Sequence, residues 1–201
     1  MKIYIDFDGT LFNSTKLYNN FIKTFNKYNI KTSYTKNILL KNKNYDTAAK
    51  KIINEFNLDK SIYKELNNIY SKNLLFKDTI PFLEKYYQKY DLILLTLGTK
   101  SYQNKKINST NISKYFKEII ITNKDKSKLD INYKNEIFID NNPLELKKFY
   151  NSKAKYLIRI KRKTDKYSKL NLDINNIPEF NSFTELLNSK YIDKIGENKY
   201  E

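Results

Sequence analysis

KIYIDFDGTLF, residues 2–12, is the stretch whose reading decides the fold. Ile3, Tyr4 and Ile5 form a short apolar run of β-branched and aromatic residues, the length and type of a buried strand. The run ends abruptly in Asp6-Phe7-Asp8-Gly9-Thr10. Two carboxylates two residues apart at a strand's carboxyl end point to the same side of the pleat. Gly9 then lets the chain turn sharply, since glycine carries no steric penalty at positive φ. Like charges held this close repel unless a cation or a proton sits between them. Alone, the stretch reads as a strand followed by an Asp/Gly turn, so partners elsewhere in the chain must decide whether it is a site.

Working outward, residues 13–70 are helical and amphipathic, with Leu17, Phe21, Phe25 and Tyr28, then Ile52, Ile53 and Phe56, then Ile62, Leu66 and Ile69 recurring every three or four positions. An Asn/Lys-rich break at residues 42–44 divides this region into two or more helices. A helix over Thr79 to Tyr90 carries Pro81 in its first turn. Further strands are predicted at Asp91 to Thr96, Glu118 to Thr122, Glu136 to Asp140 and Lys155 to Ile160, with a short sixth at Ile177 to Phe180. Helices are expected after Leu97-Gly98-Thr99, after Pro143, and after Ser182, whose Ser-Phe-Thr-Glu spacing is that of a capping box. Residues 197–201 read as a frayed tail. Strands that are apolar on both faces and alternate with helices predict an α/β fold, a doubly wound parallel sheet with a Rossmann-like core. Residues 1–12 and 73–201 form that core, and 13–72 an inserted helical cap.

In such sheets the ligand sits outside the carboxyl ends of the strands. That rule gathers Asp6, Asp8, Thr96, the lysine-rich loop 123–128 and Asp140 around one crevice. Four strands ending in chemically competent groups make the site reading the better one.

The 201 residues suffice for one core plus a modest insertion, and 40% hydrophobic content supports a globular protein. No apolar run approaches the roughly 18 residues of a membrane span. The chain enters its first strand without a signal-like segment, so the expectation is a cytoplasmic protein with no membrane partner. With neither Cys nor His, any metal must be held by oxygen, which points to Mg²⁺-like chemistry. The net charge of +16 raises nucleic acid as a partner, together with the run Arg159 to Lys163. Against this, Arg159 and Arg162 are the only arginines, and the Lys, Asn, Ile and Tyr excess has the character of A/T-rich coding. Attraction of anionic ligands follows either way.

Without His, Cys or a Ser–base pair, the available nucleophile is a carboxylate, which can attack phosphorus and form an aspartyl-phosphate. Asp6 and Asp140 can hold Mg²⁺, Asp8 can serve as acid and then base, Thr96 can donate to a phosphoryl oxygen, and a loop lysine can offset charge.

In these motifs the chain resembles the haloacid dehalogenase-like hydrolase superfamily, over nearly its whole length. The first motif is residues 6–12, and the second is Leu94-Leu-Thr96 followed by Gly98…Gln103…Lys106-Ile107. The last is Ile137-Phe-Ile-Asp140-Asn-Asn-Pro143, and the helical insertion stands where the family's small cap sits. The resemblance implies a Mg²⁺-dependent phosphatase for a small phosphorylated metabolite or nucleotide. It makes Asp6 nucleophile and metal ligand, and Asp8 general acid/base and metal ligand through its backbone carbonyl. Thr96, with the Leu97-Gly98 turn, and the motif lysine bind phosphate. Lys124, Lys126 and Lys128 all compete for the lysine's place; Lys126 is chosen for its Asp-Lys-Ser context, with Lys128 second. The family's usual Asp-Asp is here Asp140-Asn141, so Asn141 offers a carbonyl oxygen but one negative charge fewer. Glu145 is either a partial substitute or a solvated helix residue. An inactive member, or a nucleic-acid-associated protein on the same fold, are the rival readings.

Overall fold

A computed structural model describes residues 1–42, 44–172, 174 and 176–197; the expected tail thus lies outside the described residues beyond Glu197. Six parallel strands form one sheet in the order β3-β2-β1-β4-β5-β6, comprising β1 (Lys2–Ile5), β2 (Asp91–Leu97), β3 (Glu118–Thr122), β4 (Ile137–Asp140), β5 (Tyr156–Ile160) and β6 (Glu179–Phe180). β1 is central, with Ile5 opposite Leu94 on one side and Ile139 on the other. The strand order reverses direction between β1 and β4, the place where open α/β sheets put their ligands.

Alternation along β1 sends Ile3 and Ile5 into the larger apolar core and Tyr4 into the smaller one on the opposite face. There Tyr4 stacks on Phe138 at 4.9 Å, and Phe138 packs on Phe149 at 4.7 Å. Burial on both faces is why these strands read as continuous apolar runs.

Between β1 and the core helix α5 (Thr79–Tyr86) stand four helices: α1 (Ser14–Asn26), α2 (Thr32–Lys41), α3 (Tyr45–Glu55) and α4 (Ile62–Tyr70). Their apolar stripes, including Phe21, Phe25, Ile52 and Leu66, join the same core as Ile3 and Ile5. With only three glycines in the chain, helix ends use asparagine instead. Asn29 and Asn57 adopt φ of 58° and 47°, and the following amides close back on the helix, Ile30 N to Phe25 O at 3.2 Å and Leu58 N to Ile53 O at 3.0 Å. Asn tolerates this left-handed C-terminal geometry better than other side-chain-bearing residues.

The remaining helices are α6 (Lys100–Asn108), α7 (Pro143–Asn151), α8 (Phe183–Ser189) and α9 (Tyr191–Glu197). The expected final helix is two, broken at Lys190 with φ 53°. Its capping box is half formed: Ser182 accepts from Glu185 N at 3.0 Å, but Glu185 reaches Asn181 N rather than Ser182. β3 and β4 are joined by two short 3₁₀ turns, Lys126–Lys128 and Tyr133–Asn135, in place of a crossover helix. Among the described residues, no helix is long and apolar enough to cross a membrane.

Candidate active site

The loop after β1 folds tightly on itself. Phe7 O accepts from Leu11 N at 3.1 Å and Phe12 N at 2.9 Å, while Gly9 N donates to Phe12 O at 2.8 Å. Gly9 has φ +86°, and a Cβ there would meet Asn141 Nδ2 at 2.2 Å and Asp165 Oδ2 at 2.6 Å. Glycine is required twice over, by conformation and by space.

Asp6 continues the pairing of β1, its amide donating to Ile139 O at 2.9 Å. The side chain is buried. Oδ1 accepts from Lys126 Nζ at 2.6 Å and Oδ2 from the Thr10 hydroxyl at 3.0 Å. Lys126 also reaches Asp140 Oδ2 at 3.0 Å, and Asp140 Oδ1 accepts from Asn142 N at 2.9 Å. One ammonium thus faces two buried carboxylates. Burial, and then the Asp140 charge, push the Asp6 carboxyl up to about 7, against the pull of Lys126. Burial alone works against a charged Lys126, yet Asp140 and Asp6 hold its ammonium well above the usual lysine range. Of the three candidate lysines, Lys126 is the buried one; Lys124 and Lys128 are exposed.

Asp8 is turned away from this cluster. Its Oδ1 accepts from Lys106 Nζ at 2.6 Å and Ser14 Oγ at 2.7 Å, and its Oδ2 from Lys106 Nζ at 2.6 Å and Gln103 Nε2 at 2.9 Å. Burial would raise this carboxyl, but the Lys106 charge and these donors carry it below its ordinary value. Lys106 and Gln103 lie one turn apart on α6, and both were read from the sequence only as family-like spacing, without a role. Two polar residues on the face of α6 that also buries Tyr102 and Ile107 are the signal that marks them.

The Thr96 hydroxyl, at the carboxyl end of β2, is fully buried and has no hydrogen-bond partner. Gly98 N donates to Thr122 O at 2.8 Å, and Leu97 O accepts from Gln103 Nε2 at 2.8 Å. That amide is therefore not free to bind an anion, and a Cβ on Gly98 would strike Gln103 Nε2 at 2.6 Å. The turn's visible contribution is room for Gln103.

Asn141 is buried, with Oδ1 accepting from Thr10 Oγ1 at 3.3 Å. Its Nδ2 meets no acceptor at hydrogen-bonding geometry but lies near Asp165, whose carboxyl burial holds above its ordinary value against the pull of the Tyr167 amide and then of Asn141. Asp165, from the loop after β5, also accepts from Tyr167 N at 2.8 Å; nothing in its sequence context singled it out. Glu145 neither substitutes for the missing acid nor lies in solvent: it pairs with Lys148 at 2.8 Å, and its side chain is 12% exposed.

The two arginines of the basic run at residues 159–163 are engaged within the protein. Arg159 is fully buried, binding Glu179 at 2.7 Å and the carbonyls of Tyr167 and Leu170 at 2.8 and 2.9 Å. Arg162 makes a bidentate pair with Asp78 at 2.7 and 2.9 Å and donates to Thr10 O at 3.1 Å. Both guanidiniums hold loops together and offer no arginine to a nucleic acid, while Lys163 of the same run is exposed.

The donor set suits a hard divalent cation. Asp6, Asp140 and the Asn141 amide present oxygen alone, and two carboxylates against one ammonium leave surplus negative charge in a dry place. Among the described residues no three acidic groups converge as a metal cluster, and the Asp8 carboxylate is engaged by Lys106. Any share Asp8 takes in metal binding falls to its backbone carbonyl.

The insertion reaches over the site. Tyr45, on α3, is raised by burial and by the nearby Asp8 charge. Lys105, beside Lys106 on α6, binds Asp46 of α3 at 2.7 Å and Asn67 of α4 at 3.0 Å.

An open parallel sheet of order 3-2-1-4-5-6, a helical insertion after its central strand, and acids and a lysine at the strand ends define an α/β architecture of the doubly wound class. Comparison with solved structures identifies it as the haloacid dehalogenase-like fold. The HAD-hydrolase YfnB of Bacillus subtilis, solved bound to magnesium, superposes with TM-score 0.63 at 13% identity, over 94% of this chain and 98% of that one. A HAD phosphatase from Thermococcus onnurineus gives TM-score 0.59 at 21% identity, over 95% and 98% of the two chains. The L-2-haloacid dehalogenase of Xanthobacter autotrophicus gives 0.56 at 14% identity, over 80% and 77%. No family model matches the sequence, and no curated protein does.

Proposed function

We propose that the chain is a hydrolase of phosphomonoesters, acting on a small phosphorylated metabolite or nucleotide, with Asp6 as nucleophile and Mg²⁺ as cofactor. The observation that carries this reading is the separation of two acids two residues apart. Asp6 lies against Lys126 and Asp140, and Asp8 is held apart by Lys106, Gln103 and Ser14. A nucleophile and a proton carrier need different surroundings, and these two have them.

In the first step an Asp6 carboxylate oxygen attacks phosphorus as the bond to the ester oxygen breaks, and Asp8 takes the proton of the phosphomonoester monoanion and passes it to that oxygen. In the second, water attacks phosphorus and yields a proton to Asp8. The bond between phosphorus and Asp6 breaks, which restores the carboxylate and frees inorganic phosphate. The unpartnered Thr96 hydroxyl donates to a phosphoryl oxygen, and Lys126 offsets the charge that develops on the equatorial oxygens. Asp6, Asp140, the Asn141 amide oxygen and the Asp8 carbonyl would hold Mg²⁺, which when bound supplies neutralising charge between substrate and nucleophile.

Dehalogenases share this fold, as the Xanthobacter structure illustrates. Departure of halide needs no proton donor, so the Asp8 arrangement favours the ester. Release of phosphate from 4-nitrophenyl phosphate with Mg²⁺, falling to background in Asp6→Asn, is the expected result. Equal inactivity of wild type and Asp6→Asn on every phosphoester and divalent cation tried removes the reading. Halide release from a 2-haloacid replaces it.

A further inference from the structure

Lys106 is 3% exposed, and the floor it lies on is aromatic. Its ammonium sits 4.8 Å from the ring centroid of Tyr102, 5.5 Å from Phe12 and 5.6 Å from Phe7. A buried ammonium is costly unless paired with good geometry. Here the carboxylate it meets is Asp8, at 2.6 Å from both oxygens. Gln103 fixes one Asp8 oxygen while anchored itself to Leu97 O, and Ser14 fixes the other. The plane of the Asp8 carboxylate is therefore set from two elements, by Lys106 and Gln103 of α6 and by Ser14 at the start of α1, while the rings of Phe7 and Phe12 hold the Lys106 ammonium in place. Yet 31% of that side chain stays exposed. A surface ion pair would not need this housing, and a purely structural one would not leave its acid open to the cleft.

We infer that Lys106 is a positioning residue: with Gln103 it holds Asp8 at the place and angle from which it meets the leaving-group oxygen. This rests on the phosphomonoesterase reading, in which Asp8 moves the proton. A general acid must lie within hydrogen-bond reach of the atom it serves, and a displacement of about 1 Å can cost about 10²-fold. Lys106 touches no reacting atom; it acts through Asp8.

The role is visible in leaving-group dependence. 4-Nitrophenolate departs without a proton, whereas the alkoxide of glycerol 2-phosphate needs one. In Lys106→Met, kcat for glycerol 2-phosphate should fall about 10²-fold, the scale of a general-acid contribution. The loss on 4-nitrophenyl phosphate should be several-fold at most, with KM for both unchanged. Asp8→Asn should show the same selectivity, and adding Lys106→Met to it should cost nothing more, as residues of one unit are non-additive. Lys106→Arg should recover part of the glycerol 2-phosphate rate. Gln103→Met, which keeps the ion pair and so the fold, should give a smaller loss with the same selectivity. Equal losses on both esters in Lys106→Met or, if that variant does not fold, in Gln103→Met overturn the proposal. So does additivity with Asp8→Asn. A wild type that turns over neither ester overturns the phosphatase reading, and this inference with it.

Discussion

Asp6 and Asp8 are two residues apart, and each meets a buried lysine at 2.6 Å, yet the two surroundings are built for opposite purposes. Around Asp6 there are two carboxylates and one ammonium, and the carboxyl is pushed up to about 7 by burial and by Asp140. Around Asp8 there is one carboxylate, one ammonium and two neutral donors, and the carboxyl is carried down. The first region has negative charge to share with a cation or a phosphoryl group's counter-ion. The second has none to share and its acid is fixed in orientation. What separates them is the count of charges within reach together with exposure, since both are paired but the Asp6 side chain is 9% exposed and that of Asp8 31%. The DxD spacing supplies two acids; the chain's other elements make them unequal.

The strongest way to break this comparison is to remove the ammonium from the crowded side. Lys126→Met leaves Asp6 and Asp140 facing each other without compensation. Breaking a buried pair in this way typically costs about 3–5 kcal/mol. The variant should therefore melt well below wild type in chelator, and Mg²⁺ should raise its melting temperature more than it raises that of wild type. A thermal shift titration with Mg²⁺ reads both. If Mg²⁺ stabilises the two proteins equally, surplus charge is not what this region offers.

The pH dependence of stability should carry opposite signs on the two sides. Asp6, raised from an ordinary value of 3.8 to about 7, keeps in the native state a proton that the unfolded chain releases. Its stabilising share is full below the ordinary value and is lost as pH rises through about 7. Asp8, lowered, gives stability that is present above the ordinary carboxylate value and lost as pH falls through its native one. Melting curves in chelator should then show Asp6→Asn flattening the limb towards neutral pH and Asp8→Asn flattening the acid limb. If both variants alter the same limb, the two surroundings are not distinct.

The crowded side was the legible one. Asp6, Thr96 and Asp140 stand at or beside the carboxyl ends of strands whose middles are buried, and such strands announce themselves as apolar runs closed by a polar residue. Lys126 could be ranked above its neighbours only by its Asp-Lys-Ser context, because nothing in a string of alternating lysines states which one enters the sheet. The Asp8 side was nearly silent. A lysine among 38 basic residues reads as surface, and what buries Lys106 is the packing of Phe7, Phe12 and Tyr102 from two separate elements. Arg159 and Arg162 were unreadable for a related reason: their guanidiniums satisfy loop carbonyls, those of Tyr167 and Leu170 for Arg159 and that of Thr10 for Arg162, which a strand or helix would otherwise pair. The divisions within the helical insertion were partly hidden as well, since helix ends marked by Asn29 and Asn57 carry no Gly or Pro signal.

Asn141 allows the finest adjustment of the comparison. Asn141→Asp adds a fourth negative charge to the neighbourhood of Asp6, Asp140 and Asp165, moving the crowded side further from the Asp8 side. Without metal the fold should lose stability, since Asp165 lies beside the new carboxylate. With metal, affinity for Mg²⁺ measured by calorimetry should rise about tenfold, or about 1.4 kcal/mol. Asn141→Asp combined with Asp165→Asn restores the original charge count while keeping a carboxylate at position 141. If affinity in the double variant returns to that of wild type, total charge governs the region. If it stays raised, the carboxylate at 141 is a direct ligand and Asp165 is a bystander. An Asn141→Asp protein that binds Mg²⁺ no more tightly than wild type would mean that position 141 does not face the cation, and would leave Asp6 and Asp140 as its only side-chain holders.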